Sequence, residues 1–190
     1  MPDCDVLVVA GDFLGQGKFF ELQDFISWLR EQPAKHKIVV AGNHDLILEE
    51  PSSECVFTDD IHYLQDSGVT IHGVKFYGSP WTPLFGRWSW MKPDSELGAI
   101  WDKIPDDVDV LITHGPPKGV LDYVKRGGHV GSESLAIQLG SRLRPKIWIG
   151  GHLHENGGQS HVKDGTVYFN VASMDERYCL RPNPWTVISL

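Results

Sequence analysis

Apolar and polar positions alternate in the first 41 residues in a way that predicts a strand, a helix and a second strand. The run Cys4–Ala10 is short and rich in β-branched residues, which predicts a strand buried on both faces. Apolar residues in 19–30 recur at helical spacing, and His36–Ala41 predicts a second buried strand. A strand, a helix and a strand in close succession form a βαβ unit, so we expect a parallel sheet here.

The rest of the chain predicts more short strands and two helices. A polar, irregular stretch follows the second strand, and three short alternating runs after it indicate a meander. Ser132 is placed to cap the later helix. Without a repeat or a linker, residues 1–190 are interpreted as a single α/β domain. The predicted elements are an irregular stretch at 48–60, strands at 61–64, 69–72, 75–77, 108–113, 146–149, 167–171 and 185–190, an aromatic loop at 80–93, and helices at 95–104 and 132–143.

Four of the predicted strands end in Asp, Asn or His beside a glycine. Ligands of open α/β sheets bind beyond the carboxyl ends of the strands, so four parallel strands would bring these side chains to one edge. A single polar residue at a strand end is usually a turn former, but four sets with the same chemistry favour a metal site. Oxygen and imidazole donors suit Mn, Fe or Zn. The four segments are Gly11-Asp12, Gly42-Asn43-His44-Asp45, His114-Gly115 and Gly151-His152-Leu153-His154.

The order and spacing of these segments resemble the motifs of the calcineurin-like metallophosphoesterase superfamily. The strings 77–83, 113–117 and 151–155 resemble the branch that contains the metallophosphoesterase domain-containing proteins. The resemblance implies a metallophosphoesterase-type sandwich of mixed β-sheets flanked by helices. It also implies a metal-dependent, phosphodiesterase-like enzyme that hydrolyses a phosphoester by attack of a metal-bound hydroxide.

The resemblance carries roles onto matching positions only. Asp12 would bridge two divalent ions (Mn, Fe, Zn or Mg), and His154 would bind the first of them. His44 would serve as proton donor or phosphate contact, with Asp45 orienting it. The implied metal ligands are Asp12, Asn43, His114, His152 and His154, and the implied catalytic residues are His44, Asn43 and Asp45.

The family pattern begins with a strand that carries Asp-x-His, and no such strand precedes the Asp12 strand here. Three explanations stay open: a truncated chain, a natural short form that binds one metal ion, or a partner chain that supplies the strand. Without this first strand we expect an unpaired sheet edge, lower stability and self-association through that edge.

Substrate contacts are suggested by an aromatic loop and a glycine-rich loop. Trp81 could stack a base and Arg87 could bind a phosphate, although packing of this loop on its own domain is the simpler interpretation. His129 lies in a Gly-rich stretch before a helix, which could meet a phosphate or form an ordinary loop. The expected partner is a small phosphoester or a nucleotide.

Composition narrows the alternatives. The chain has 17 Lys and Arg against 25 Asp and Glu, a formal charge of −8, so we expect no binding of nucleic-acid polymers. No apolar run approaches the roughly 20 residues of a membrane span. Three scattered cysteines, Cys55 among them, and a start unlike a signal peptide predict a cytoplasmic protein.

The histidines outside the motifs are interpreted as surface or partly buried positions: His36, His62, His72 and His161.

Two other functions remain open. Loss of the Asp-x-His ligands favours a catalytically impaired module that binds a metal or a nucleotide. A phosphomonoesterase or protein phosphatase would use the same site on a different substrate.

Overall fold

The computed structural model describes residues 1–50, 57–58 and 60–190. Part of the predicted irregular stretch, Cys55 included, lies outside these residues. Short 3-10 helices span Leu46–Glu49 and His154–Asn156. In chain order the strands and helices are β1 (Val6–Ala10), α1 (Phe19–Arg30), β2 (His36–Val40), β3 (Ile61–Tyr63), β4 (Ser67–Ile71), β5 (Val74–Ser79), β6 (Thr82–Pro83), β7 (Met91–Lys92), α2 (Asp94–Trp101), β8 (Val110–Thr113), β9 (Tyr123–Val124), β10 (Gly128–His129), α3 (Glu133–Ser141), β11 (Ile147–Gly150), β12 (Ser160–Lys163) and β13 (Thr166–Asn170).

The described strands form two main sheets. The small sheet has the order β1-β2-β3 and is parallel throughout, which confirms the predicted βαβ unit. The large sheet has the order β12-β13-β11-β8-β5-β4, with a parallel centre and antiparallel edge strands. The pairs β6–β7 and β9–β10 are short additions outside both sheets. The expected class, a sandwich of mixed sheets flanked by helices, is therefore confirmed.

Alternating side chains of the strands divide the core into layers. Residues such as Ile38 and Val40 of β2 meet Ile112 and Ile149 of the large sheet between the two sheets. Helix α1 covers the outer face of the small sheet, where it buries Leu22, Ile26 and Leu29. Helices α2 and α3 cover the outer face of the large sheet. Ser132 caps α3 as predicted, because its Oγ accepts the Leu135 N–H at 3.0 Å.

Three sequence expectations about strands are wrong in detail. β1 is an edge strand with partly exposed valines, rather than a strand buried on both faces. β3 pairs with β2, so the predicted meander is only the β4–β5 hairpin; Asp66, at φ +48°, lies where the chain passes to the large sheet. Residues 185–190 form no strand in the described chain, because Val187 and Leu190 stay exposed and only Ile188 packs on the core.

The carboxyl ends of β1, β2, β8 and β11 meet at one side of the sandwich, which we call the carboxyl edge. The opposite side, where these strands begin, is called the amino edge. No helix in the described part of the chain is both long and apolar enough to cross a membrane.

Candidate metal centre

A buried carboxylate organises the loops at the carboxyl edge. Asp45 is fully buried, and its two oxygens accept the backbone N–H groups of Asp12 (2.9 Å), Leu14 (2.9 Å) and Gly42 (2.7 Å). These bonds join the turn after β1 to the turn after β2. Asp45 therefore fixes the loops that carry the other polar side chains, and it orients the Asp12 backbone rather than the His44 ring that the resemblance suggested.

Two glycines let the loops approach the ligand side chains closely. A Cβ on Gly42 would lie 2.5 Å from Asp12 Oδ1 and 2.5 Å from His114 Cε1. A Cβ on Gly11, whose φ is +95°, would lie 2.2 Å from His114 Nδ1. Any larger residue at either position would push these side chains apart.

The ligand atoms of Asp12, Asn43 and His114 converge on one another. His114 Nε2 lies 3.2 Å from Asp12 Oδ2 and 3.1 Å from Asn43 Oδ1. His114 Nδ1 lies 2.9 Å from the Ala10 carbonyl, which can only accept, so Nδ1 carries the ring proton. In the neutral ring, Nε2 then carries a lone pair that faces two oxygen atoms. These three atoms are held together either by a proton on Nε2 or by a cation between them, and the second arrangement is that of a metal-ligand set.

His152 completes the group from the large sheet. One ligand atom from each of Asp12, His114 and His152 lies within 4.8 Å of the others, and the two histidine rings are 4.9 Å apart. Asp12 and His152 both have left-handed backbone conformations, at φ +56° and +62°. Non-glycine residues rarely adopt this conformation outside sites where surrounding contacts enforce it. His154 stands apart from this group in the described chain: its Nδ1 contacts the Asp175 carbonyl at 3.1 Å, and its ring packs on Tyr178.

The charges of the site are strongly coupled. Burial opposes ionisation of Asp12, but the adjacent His114 outweighs it and holds the pKa of Asp12 well below its usual range. Burial likewise opposes a charged His114, and the Asp12 carboxylate more than compensates, so the pKa of His114 is raised. Burial first, and then His114, lowers the pKa of His152 to about 3. Burial and the Asp12 charge raise the pKa of Asp45 to about 8, although the N–H groups that donate to Asp45 act to lower it. At neutral pH His152 is thus a neutral imidazole, the form that binds metals.

His44 lies at the rim of this group. Its backbone N–H donates to Asp12 Oδ1 at 2.8 Å, and its Nδ1 lies 3.0 Å from the Gly15 carbonyl. The carbonyl fixes the proton on Nδ1 and leaves Nε2 for proton transfer. The Trp88 ring packs against the His44 ring at 4.5 Å between centroids, and Phe85 packs against His152 at 5.2 Å.

The described hydrogen bonds and ring contacts of Trp81 and His129 are with residues outside the ligand group, and Arg87 belongs to the loop whose aromatic rings contact the site. Trp81 donates its indole N–H to Asp66 at 2.8 Å and packs against Trp90, so its described contacts are those of a packing residue. Arg87 is exposed in the same loop. His129 is exposed, with Nδ1 2.6 Å from an oxygen of the buried Asp122.

The sequence offers four aromatic residues of the predicted loop for stacking, namely Trp81, Phe85, Trp88 and Trp90. It does not indicate that Phe85 and Trp88 are the two that contact site histidines. The exposed fractions distinguish them, because Phe85 is 57% exposed and Trp88 45% exposed. Exposed aromatic rings beside histidines of a polar site are available to a ligand.

An Asp-x-His sequence does occur in the chain, at Asp60-Ile61-His62, but it begins β3 at the amino edge. Asp60 pairs there with the Lys37 ammonium at 3.2 Å. This segment therefore cannot contribute ligands to the group around Asp12.

A sandwich of mixed sheets with oxygen and imidazole ligands at one edge defines a class, the metal-dependent phosphoesterases. The family model described as calcineurin-like phosphoesterase matches residues 1–156, and the chain belongs to that family. The resemblance seen in the motifs is thus confirmed.

Curated relatives agree with this assignment, and a solved structure shares the fold. The chain is 37% identical over 216 aligned residues to metallophosphoesterase domain-containing protein 1 of Homo sapiens, covering 100% of this chain and 66% of that protein. It is 36% identical to a UPF0046 protein of Caenorhabditis elegans, over 97% of this chain and 68% of that one. A phosphopantetheinyl hydrolase from Mycobacterium tuberculosis superposes with a TM-score of 0.59 at 14% identity, over 91% of this chain and 80% of that chain. The chain thus spans about two thirds of the curated relatives it matches.

Proposed function

We propose that this protein is a manganese-dependent phosphodiesterase that acts on a small phosphoester carrying an aromatic or nucleobase group. The observation that carries the proposal is the convergence of the Asp12 carboxylate, the Asn43 amide oxygen and His114 Nε2, three groups that can ligate a metal ion, with His152 beside them. Bound divalent cations would supply a lowered pKa for water and would offset charge on the phosphate oxygens.

The protein's own residues hold and orient this centre. Asp12, Asn43, His114 and His152 would ligate the metal, and the Ala10 carbonyl keeps the His114 ring in the required tautomer. His154 would join as a further ligand, since its contact with the Asp175 carbonyl leaves Nε2 free. Such orienting contacts typically account for roughly 10–100-fold of metal affinity or activity.

His44 is proposed as the proton donor to the leaving oxygen or as a phosphate contact. The Gly15 carbonyl anchors Nδ1, so Nε2 is the nitrogen that would face the substrate. Trp88 stacks on the His44 ring and limits its motion. A positioned general acid typically contributes about 10²–10⁴-fold to rate.

Phe85 and Trp88 are proposed to select the substrate. Their exposed rings flank His152 and His44, so an aromatic group of the substrate would stack there while its phosphate meets the metal centre. The formal charge of −8 does not oppose an anionic substrate, because bound cations reverse the local field. The free, exposed Cys4 and Cys179 favour a reducing compartment, and we propose a cytoplasmic location.

The test measures hydrolysis of bis(p-nitrophenyl) phosphate with added Mn²⁺, together with bound metal by elemental analysis. Wild type should turn over, Asp12→Asn should lose metal and activity together, and His44→Gln should keep its metal while turnover falls about 10²–10⁴-fold. The matched control His161→Gln, an exposed histidine on β12, should behave as wild type.

The outcomes separate the alternatives. Faster hydrolysis of p-nitrophenyl phosphate than of the diester would indicate a phosphomonoesterase or protein phosphatase instead. Absence of turnover in fully metal-loaded wild type, with tight nucleotide binding, would replace the enzyme by a binding module. Full metal content in Asp12→Asn would remove Asp12 from the ligand set.

A further inference from the structure

Three histidines outside the metal centre meet at the amino edge. His36 begins β2, His62 lies on β3, and His72 lies in the turn between β4 and β5. The His36 ring is the central one: its centroid lies 6.0 Å from that of His62 and 5.3 Å from that of His72. We call these residues the histidine trio.

Register explains why the trio forms at the seam between the sheets. Ile38 of β2 points into the core between the sheets, and His36, two residues earlier, shares that face. His62 pairs with Ile38 in the parallel register, so it lies on the same face of the neighbouring strand. His72 approaches from the large sheet. The trio thus closes the amino-edge end of the inter-sheet core, with ligands contributed by both sheets.

We propose that the histidine trio is a second metal site, for a divalent cation that prefers imidazole ligands, with Zn²⁺ as the reference ion. Imidazole nitrogens favour Zn, Cu and Ni, whereas Mg and Ca prefer oxygen ligands. Three histidines leave one position of a tetrahedral ion for water.

The ring spacing suits this ligand set. Zn–N bonds of about 2.0–2.1 Å put the centroids of two histidines on one tetrahedral ion roughly 5 Å apart. The observed 5.3 and 6.0 Å are close to that separation. Among the described residues only Asp12, His114 and His152 already have ligand atoms within 4.8 Å of one another, so the trio must rotate side chains to bind. His72 is exposed on the turn, so its side chain has solvent around it in which to rotate.

The local charges are compatible with a cation. Partial burial, followed by the His72 ring and the Lys35 ammonium, lowers the pKa of His36, so its imidazole is neutral and available at neutral pH. Asp5 acts in the opposite direction on His36 and would favour a bound cation. The Lys37 ammonium is engaged by Asp60. A bound ion would tie the small sheet to the β4–β5 hairpin, which gives the site a stabilising role.

The experiment titrates chelator-stripped full chain with Zn²⁺ against a chromophoric competitor, in the Asp12→Asn, His152→Asn background that disables the first centre. This background should bind one equivalent. Combining His36→Gln, His62→Gln and His72→Asn should remove that equivalent or weaken it at least about tenfold, since even an outer partner is worth 10–100-fold. Asn is chosen at position 72 because it tolerates the observed φ of +51°.

Single variants keep the test informative if the combined variant does not fold. His72→Asn alone, on the exposed turn, should lower Zn²⁺ affinity and the Zn²⁺-induced rise in Tm, while His161→Gln should change neither. Ring NMR signals of the trio should shift with Zn²⁺ in wild type. Equal Zn²⁺ stoichiometry and affinity with and without the trio would overturn the proposal, whatever the outcome for phosphodiester hydrolysis.

Discussion

The two edges of the sandwich each gather histidines, but they hold them differently. At the carboxyl edge, His114 is fully buried and its Nδ1 is bonded to the Ala10 carbonyl. At the amino edge, the His36 and His72 rings pack edge to face with their centroids 5.3 Å apart, and His72 is exposed. Packing of the strands is enough to bring histidines close together, but a backbone hydrogen bond and burial are needed to fix their tautomer and position.

The largest effect is expected from removing the anchor of the carboxyl edge. Asp45→Ala leaves three N–H groups without their acceptor, and two of these hydrogen bonds are buried. Each unsatisfied buried group costs about 1–3 kcal/mol, so the free energy of unfolding should fall by at least about 2 kcal/mol. Urea denaturation of metal-free protein measures this. Asp107→Ala, at an exposed ion pair with Lys75, is the control and should leave the free energy of unfolding nearly unchanged. Equal losses in both variants would contradict the anchoring role.

Two glycine substitutions test how closely atoms are packed at each edge. Gly42→Ala places a methyl group 2.5 Å from Asp12 Oδ1, so it should separate the ligands and reduce Mn²⁺-dependent hydrolysis by about 10²-fold or more. Gly73→Ala, beside His72, meets no atom within 4 Å; its φ of +83° should cost about 1 kcal/mol of stability and leave hydrolysis unchanged. Steady-state rates and thermal melting distinguish the two. Full activity in Gly42→Ala would show that the ligand group has more room than its geometry indicates.

The smallest effect is expected at the aromatic rim. Trp88→Leu removes the ring that packs on His44, and an aromatic contact is worth about 0.5–1.5 kcal/mol. KM for a nitrophenyl or nucleotide diester should therefore rise about 2–10-fold, while KM for a methyl-substituted phosphodiester changes less. Trp28→Leu, at an exposed tryptophan of α1, serves as the matched control. The same increase for both substrates would contradict selection of an aromatic group.

The exposed edge of β1 is relevant to the expectation that the chain associates with itself. β1 hydrogen-bonds β2 and borders no further strand among the described residues, and its valines are partly exposed. Self-association through this edge stays a prediction, with light scattering over a concentration series as its measurement.

Much of the fold followed from local pattern, because short β-rich runs and helices with one apolar face can be recognised along the chain. The β1–α1–β2 unit and the Ser132 cap matched such signals. The errors fell where local sequence is ambiguous. The short run 61–63 satisfies either sheet equally well by its own pattern, and only its pairing with β2 decides its place.

The residues of the candidate site likewise divide into those that the sequence indicated and those that only the structure could place. Asp12, Asn43, His114 and His152 were identifiable because four strand ends carry the same ligand chemistry beside a glycine, and the structure brings their side chains together from two sheets rather than one. His154 could not be placed from its spacing, because a 3-10 helix begins there and changes the direction of its side chain.

The sequence by itself determined the chemical identity of the ligands, the parallel βαβ unit and the family, because these depend on residue type and spacing along the chain. Only the tertiary structure decided that Asp45 is an anchor, that Phe85 and Trp88 contact the site histidines, and that the histidine trio is one cluster. These features depend on contacts between segments far apart in the chain, which join different strands or loops. Residues 36 and 62 become neighbours when β2 pairs with β3, and residue 72 joins them only when the two sheets pack, so no local pattern records these distances.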